Sequence, residues 1–296
     1  MSIPRDVREF LEGYPENDDD ASMSANLRFY SNKLRCRPDN LFIDEIHDRW
    51  HGDYSKLEHK HGFIQWLFPI QEYGMNYESQ PLQAHEIASM KADPVIVDRV
   101  FRSYELMLDF YGMRLQTRET GLTARSSRNH AERYRNLVKV DLLWELIRQL
   151  PSGICFENPT SACKEYPFSV RADFFIGPGS SHNYLRISRV LKCLSELGLE
   201  HLNGGFLLHV LNEQSEHNQL NTAGIRSSMD RWWANCIRNE EERKWVRDTI
   251  QKVRSKDGYV FTREMYEQAL ERRRDTGYLG AKCQAAEATS TTTDGA

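Results

Sequence analysis

The stretch DPVIVDRVFRSYELMLDFYG, from Asp93 to Gly112, constrains the fold more than any other. Asp93 is a good N-cap, and Pro94 stands at a first helical position, where its missing N–H costs nothing. Val97, Val100, Phe101, Tyr104, Leu108 and Tyr111 then recur at three- and four-residue steps, and Gly112 offers a left-handed stop. A helix with such a stripe must bury it against another element.

The same logic repeats along the chain. In NLFIDEIHDRW, Leu41, Phe42, Ile46 and Trp50 fall near helical spacing; Gly52 ends that run and Asp53 can cap the next. In SHNYLRISRVLKCLSELGLEHL, Leu185, Val190, Leu194 and Leu197 line one side before Gly198. GGFLLHVLNEQ and SSMDRWWANCIRNEEERKWVRDTIQKVR are read as one helix each, and TREMYEQALERRR as a last one. Alternating apolar–polar runs are scarce. The fold class expected is therefore all-α: a single compact multi-helix domain over 24–275. A flexible acidic lead-in is expected over 1–23 and a disordered tail over 276–296. Residues 138–180 are proline-studded and lack a sustained period, and are read as an irregular insertion.

Composition narrows the function classes. With 40% apolar and 28% charged residues and a net charge of -4, the chain has the make-up of a soluble globular protein, with no bulk pull toward nucleic acid or anionic lipid. The N-terminus has acids where a signal peptide needs an apolar core, and no run approaches the roughly 20 apolar residues of a membrane span. The six cysteines form no CxxC pair and are expected as thiols.

The segment EIHDRWHGDYSKLEHKHGFIQWLFPI, Glu45 to Ile70, poses the sharpest question about chemistry. His47, His51, His59 and His61, with the acids around them, could make a metal or acid–base box. Trp50, Tyr54, Phe63, Trp66, Leu67 and Phe68 could instead brace helices against one another. A zinc site needs four converging donors. His47 and His51 share a helix face, but His59 and His61 are two apart, which separates them on a helix. No GxSxG, HExxH, P-loop or GxGxxG string anchors an enzyme class. The brace explains more: burying each large ring stabilises by roughly 2–3 kcal/mol. No catalytic residue, metal or cofactor is assigned.

The strings NLRFY, HGFIQWLFPI, PLQAHEI, RSYELMLDFYGMRL and HNYLRISRVLKCLSELGLEHL appear in that order. Together they closely resemble the conserved N-terminal domain of the opioid growth factor receptor family, from about Asn26 to about Lys256. In that family the equivalent of RYRNL runs almost directly into HNYLRI, so the insertion is a departure, open to reading as a genuine loop or as translated intron in a gene model. The basic targeting stretches and C-terminal repeats of long vertebrate members are not found here, so no import signal of the chain's own is expected.

The resemblance implies a non-catalytic, growth-regulating receptor, soluble or membrane-associated, cytoplasmic or perinuclear to nuclear, whose ligand is a short opioid peptide of the Met-enkephalin type. Such a ligand offers an ammonium, two aromatic rings, a thioether and a carboxylate. It would suit a groove with an acid at one end, aromatic walls and an arginine at the other. Because rings concentrate there, Trp50, Tyr54, Trp66 and Tyr111 are the candidate lining residues. A second reading is a helical scaffold that grips nucleic acid or a protein partner through the arginine-rich loop 118–135. A third is an unrecognised metal-dependent enzyme.

Overall fold

A computed structural model describes residues 3–138, 182–255 and 257–280. Among these it contains thirteen α-helices and one two-stranded hairpin, so the fold is all-α as expected. The first half carries α1 (Arg5–Leu11), α2 (Ala25–Tyr30), α3 (Ile43–Trp50), α4 (Tyr54–His59), α5 (Phe63–Leu67), α6 (Ala84–Ala92) and α7 (Pro94–Phe110). The antiparallel pair β1 (Met113–Leu115) and β2 (Thr123–Arg125) follows, then α8 (His130–Val138). The second half carries α9 (His182–Glu196), α10 (His201–Ser215), α11 (Ala223–Arg231), α12 (Glu240–Arg254) and α13 (Arg263–Thr276). Of the expected insertion only Val138 is described, and the tail beyond 280 lies outside the described residues.

Local signals act where their chemistry requires. The Asp93 carboxylate accepts the Val95 N–H at 2.9 Å, which starts α7. Gly112 takes φ 80° just past its end. Asp53 accepts the Lys56 N–H at 3.0 Å and starts α4. The long run SSMDRWWANCIRNEEERKWVRDTIQKVR is not one helix. It breaks into α11, a 3-10 turn at Trp233–Asn235, and α12, whose N-cap Asn239 accepts the Glu242 N–H at 3.0 Å. Trp233 drives the break: it is fully buried and its Nε1 donates to the Tyr184 carbonyl at 3.2 Å.

Helix α10 is the centre of the second half, buried on every side from Leu202 to Gln214. The hairpin lies hard against it. A Cβ at Gly205 would stand 1.8 Å from the carbonyl oxygen of Gly121, so only glycine admits that approach. From α13, the fully buried Tyr266 hydroxyl accepts the Thr123 N–H at 2.8 Å and donates to the Gly205 carbonyl at 2.9 Å, tying strand to helix.

Helix α9 joins the halves through a polar stripe. Arg186, Arg189, Lys192 and Glu196 recur at three- and four-residue steps, so they share one side. Arg186 donates to the Leu57 and Lys60 carbonyls at 2.8 and 2.6 Å, which closes the C-terminal end of α4. Arg189 donates to the Phe68 carbonyl at 2.8 Å, beyond α5. Lys192 holds Asp6 at 3.0 Å and Glu72 at 2.6 Å.

The acidic start, expected as flexible, is instead ordered as α1. Val7 and Phe10 are fully buried, and the Phe10 ring lies under the Lys192 ammonium and the Arg238 guanidinium at 6.0 and 4.4 Å. The polarity of residues 15–20 hid an anchor that depends on cations far along the chain.

Candidate functional site

The four histidines of Glu45–Ile70 do not converge. His47 is buried on α3 and its Nε2 lies 2.8 Å from Ser103 Oγ of α7; burial lowers its pKa to about 4, so it is neutral. His51 is exposed beyond α3 and His59 is exposed on α4, bonded to the Ser55 carbonyl. His61 packs edge-on to His182 and its Nδ1 lies 3.2 Å from Arg186. Among the described residues no group of three or more His, Cys, Asp or Glu side chains could hold a metal ion. The aromatic residues form the brace. Trp50 meets the Phe63 ring at 5.1 Å, Trp66 meets Phe29 at 5.4 Å, and the Trp66 indole N–H donates to the Arg37 carbonyl at 3.0 Å.

The candidate ligand residues sit within that brace. Trp50, Trp66 and Tyr111 keep only 4%, 2% and 2% of their surface exposed, and a ligand could reach them only if they left the interior. Tyr54 is half-buried; its hydroxyl donates to Asp109 at 2.9 Å and accepts from Arg133 at 2.9 Å. None of the four lines the cleft between the segment after α1 and the start of α6.

The arginine-rich loop 118–135 is largely engaged from within. Arg118 pairs with Asp98 and Glu105, Arg125 with Glu213, and Arg133 with Asp109. Arg128 and Arg135 point to solvent. The arginine-rich loop is thus a hairpin leading into α8, and three of its five arginines bind this chain's own carboxylates.

An open cleft lies elsewhere, between the segment after α1 and the start of α6, and encloses about 310 Å³. That volume is at the small end for ligand sites. Glu16, Asp18, Asp19 and Asp20 line it together with Tyr73 and Gln83. The acidic segment is fastened by its backbone and by short polar contacts. Asn17 Nδ2 donates to the Gln71 carbonyl at 2.8 Å, and the Asp20 N–H donates to Gln83 Oε1 at 2.8 Å. Asp19 accepts from the His85 N–H at 3.3 Å and meets the His85 ring Nδ1 at 2.9 Å. Hydrogen bonding from His85 holds the Asp19 carboxyl below its usual range, and the same bond raises the His85 pKa. No ion pair with Glu16 or Asp18 is found among the described residues.

Beside the cleft, residues 71–80 form a pinned loop. Gln65, nearly buried beneath it, accepts from the Asn76 N–H at 3.1 Å and the Ser79 hydroxyl at 3.0 Å. Asn76 Nδ2 donates to the carbonyls of Arg37 and Gly62 at 2.9 and 3.1 Å. A Cβ at Gly74 would fall 1.9 Å from Gln65 Oε1. Asn76 therefore faces inward and Gly74 lies over Gln65, and Tyr73, Met75 and Tyr77 are left outside. The composition of 71–80 held no clear signal of this, because the pinning partners Arg37, Gly62 and Gln65 come from earlier in the chain.

Fold and cleft together define a helical module whose open features are an acid-walled cleft and an apolar loop. The chain belongs to the opioid growth factor receptor family: residues 19–143 and 175–268 match the opioid growth factor receptor (OGFr) conserved region. It is 32% identical over 242 residues to opioid growth factor receptor-like protein 1 of Mus musculus, covering 81% of this chain and 43% of that protein. It is 33% identical over 242 residues to the opioid growth factor receptor of Homo sapiens, covering 81% of this chain and 29% of that protein. The chain thus spans less than half the length of these curated relatives. No solved structure matches. Among the described residues, no helix is long and apolar enough to cross a membrane.

Proposed function

We propose that this chain is a non-catalytic, opioid growth factor receptor-like protein that binds an enkephalin-type peptide and through it restrains cell proliferation. The observation that supports this reading most is the cleft. It offers Glu16 and Asp18, carboxylates without cationic partners among the described residues, beside an exposed ring, Tyr73. A peptide ammonium would meet those carboxylates, and a peptide ring would lie on Tyr73. The cleft thus takes over the aromatic and acidic roles expected of a groove around Trp50, Tyr54, Trp66 and Tyr111. An intracellular placement, cytoplasmic or perinuclear to nuclear, belongs to the same reading.

Calorimetric titration of the purified protein with Met-enkephalin tests it. Saturable heat is expected, weakened about tenfold by the double variant Glu16→Gln/Asp18→Asn. A flat isotherm at high micromolar peptide removes the ligand from the reading.

A further inference from the structure

We propose that the loop Tyr73–Tyr77 is a docking surface for a protein partner, which it takes through an extended segment alternating lysine or arginine with apolar side chains. This goes beyond enkephalin binding and holds whether or not the short peptide binds.

The first observation is where the exposed apolar surface lies. Among the described residues Tyr73, Met75 and Tyr77 are 80%, 92% and 93% exposed, while the other large exposed hydrophobics stand singly at 55% or less. Scattered apolar side chains are normal on a surface, but three within five residues make a patch. Tyrosine and methionine are also enriched at protein interfaces.

The second observation is that the patch is pre-organised. The Gln65 and Asn76 hydrogen bonds hold the backbone at the middle of the loop, and the close approach of Gln65 to Gly74 leaves no room for a side chain on that side, so outward display of Tyr73, Met75 and Tyr77 is built into the loop. A partner meeting a fixed loop loses less ordering entropy than one meeting a floppy loop.

Charge decides the occupant. From Glu9 to Leu27 the chain has six acids and no lysine or arginine. Glu16 and Asp18 stand with Tyr73 in the same cleft, and Glu78 is exposed at the loop's other end. Nucleic acid and anionic lipid would both bring negative charge against this rim, so neither fits. A basic segment fits: its cations meet the acids and tyrosine faces, and its intervening apolar side chains cover Met75 and Tyr77.

Fluorescence anisotropy of the full chain with a labelled synthetic peptide of alternating lysine and leucine tests this, with the glutamate–leucine counterpart as control. The basic peptide is expected to bind and the acidic one not to. Tyr77→Ser and Met75→Ser should each weaken binding roughly fivefold or more with unchanged thermal unfolding, since both side chains lie outside the core. Glu16→Gln/Asp18→Asn should weaken it and flatten its salt dependence. Binding indifferent to Tyr77→Ser and Met75→Ser would reduce the surface to diffuse charge and overturn the proposal. Self-association in sedimentation, abolished by Tyr77→Ser, would assign the patch to a second copy and overturn it as well. A flat Met-enkephalin isotherm on the same protein leaves it intact, so the two readings fail separately.

Discussion

Arg125 and Glu213 are joined by two parallel N–H···O bonds, each 2.7 Å long, from Nε and Nη2 to the two carboxylate oxygens. The Glu213 side chain is 2% exposed and that of Arg125 35%. This asymmetry sets the cost of breaking the pair. Arg125→Ala strands a buried carboxylate and should destabilise by about 2–4 kcal/mol, at the lower side because water can reach the site. Glu213→Gln leaves an arginine able to turn outward and should cost less. Urea unfolding of both variants and of Arg125→Met/Glu213→Leu checks this. The double variant should recover part of the loss, and strictly additive losses would contradict a coupled pair.

Tyr266 predicts a smaller, more local effect. Its hydroxyl serves the Thr123 N–H and the Gly205 carbonyl at once, and Thr123 is fully buried. Tyr266→Phe keeps the ring and leaves the Thr123 N–H unpaired, while the Gly205 carbonyl, inside α10, keeps its helical partner and loses only its second bond. The expected loss is about 1–3 kcal/mol. Amide exchange should quicken at Thr123 first, and unchanged exchange there would show that the hydroxyl is not what holds the hairpin.

Acid should loosen the fold before the carboxylates titrate. Burial lowers His47 to about 4 and His209 to about 3, from an ordinary 6.5. Both are neutral in the folded chain, whereas the unfolded chain takes a proton on each below about 6.5. The unfolded state then binds more protons, so stability falls as pH drops from about 6.5 and levels only below the folded values. Between pH 7.5 and 5 the two together should remove about 2–4 kcal/mol. His209→Gln should shrink that slope in urea titrations, and a pH-independent midpoint over this range would refute the mechanism.

Much of the fold was legible because its signals are local. Asp93, Pro94 and Gly112 bracket α7, and three- and four-residue spacing marks much of the buried faces of α7 and α9, although Leu185, expected on the buried side of α9, is 39% exposed. Three features were not legible, for a shared reason. Helix α1 has 7 residues, and its anchor depends on Lys192 and Arg238, distant in the chain. The break at Trp233 depends on a carbonyl of α9, though Asn239 before three glutamates was an available sign of a new N-terminus. The cleft depends on Gln71, Gln83 and His85 holding the acidic segment. The rings of Trp50 and Trp66 were readable as core from their spacing, and expecting them also to face a ligand asked two incompatible things of one surface.

Two adjacent glycines give the strictest test of the packing at α10. A Cβ at Gly205 would meet the Gly121 carbonyl oxygen at 1.8 Å, a backbone atom held in place by the hairpin. A Cβ at Gly204 would meet only the two Leu279 methyls, Cδ1 at 3.4 Å and Cδ2 at 3.8 Å, which is ordinary contact. Both positions are helical, so alanine gains the same propensity at each, up to about 1 kcal/mol. The difference between the variants therefore isolates the clash. Gly204→Ala should be neutral or slightly stabilising. Gly205→Ala must push the hairpin away from α10 and should cost about 2–4 kcal/mol despite its propensity gain. Thermal unfolding of the two single variants checks it. Equal melting temperatures would mean that the hairpin does not pack against α10 at the distance described.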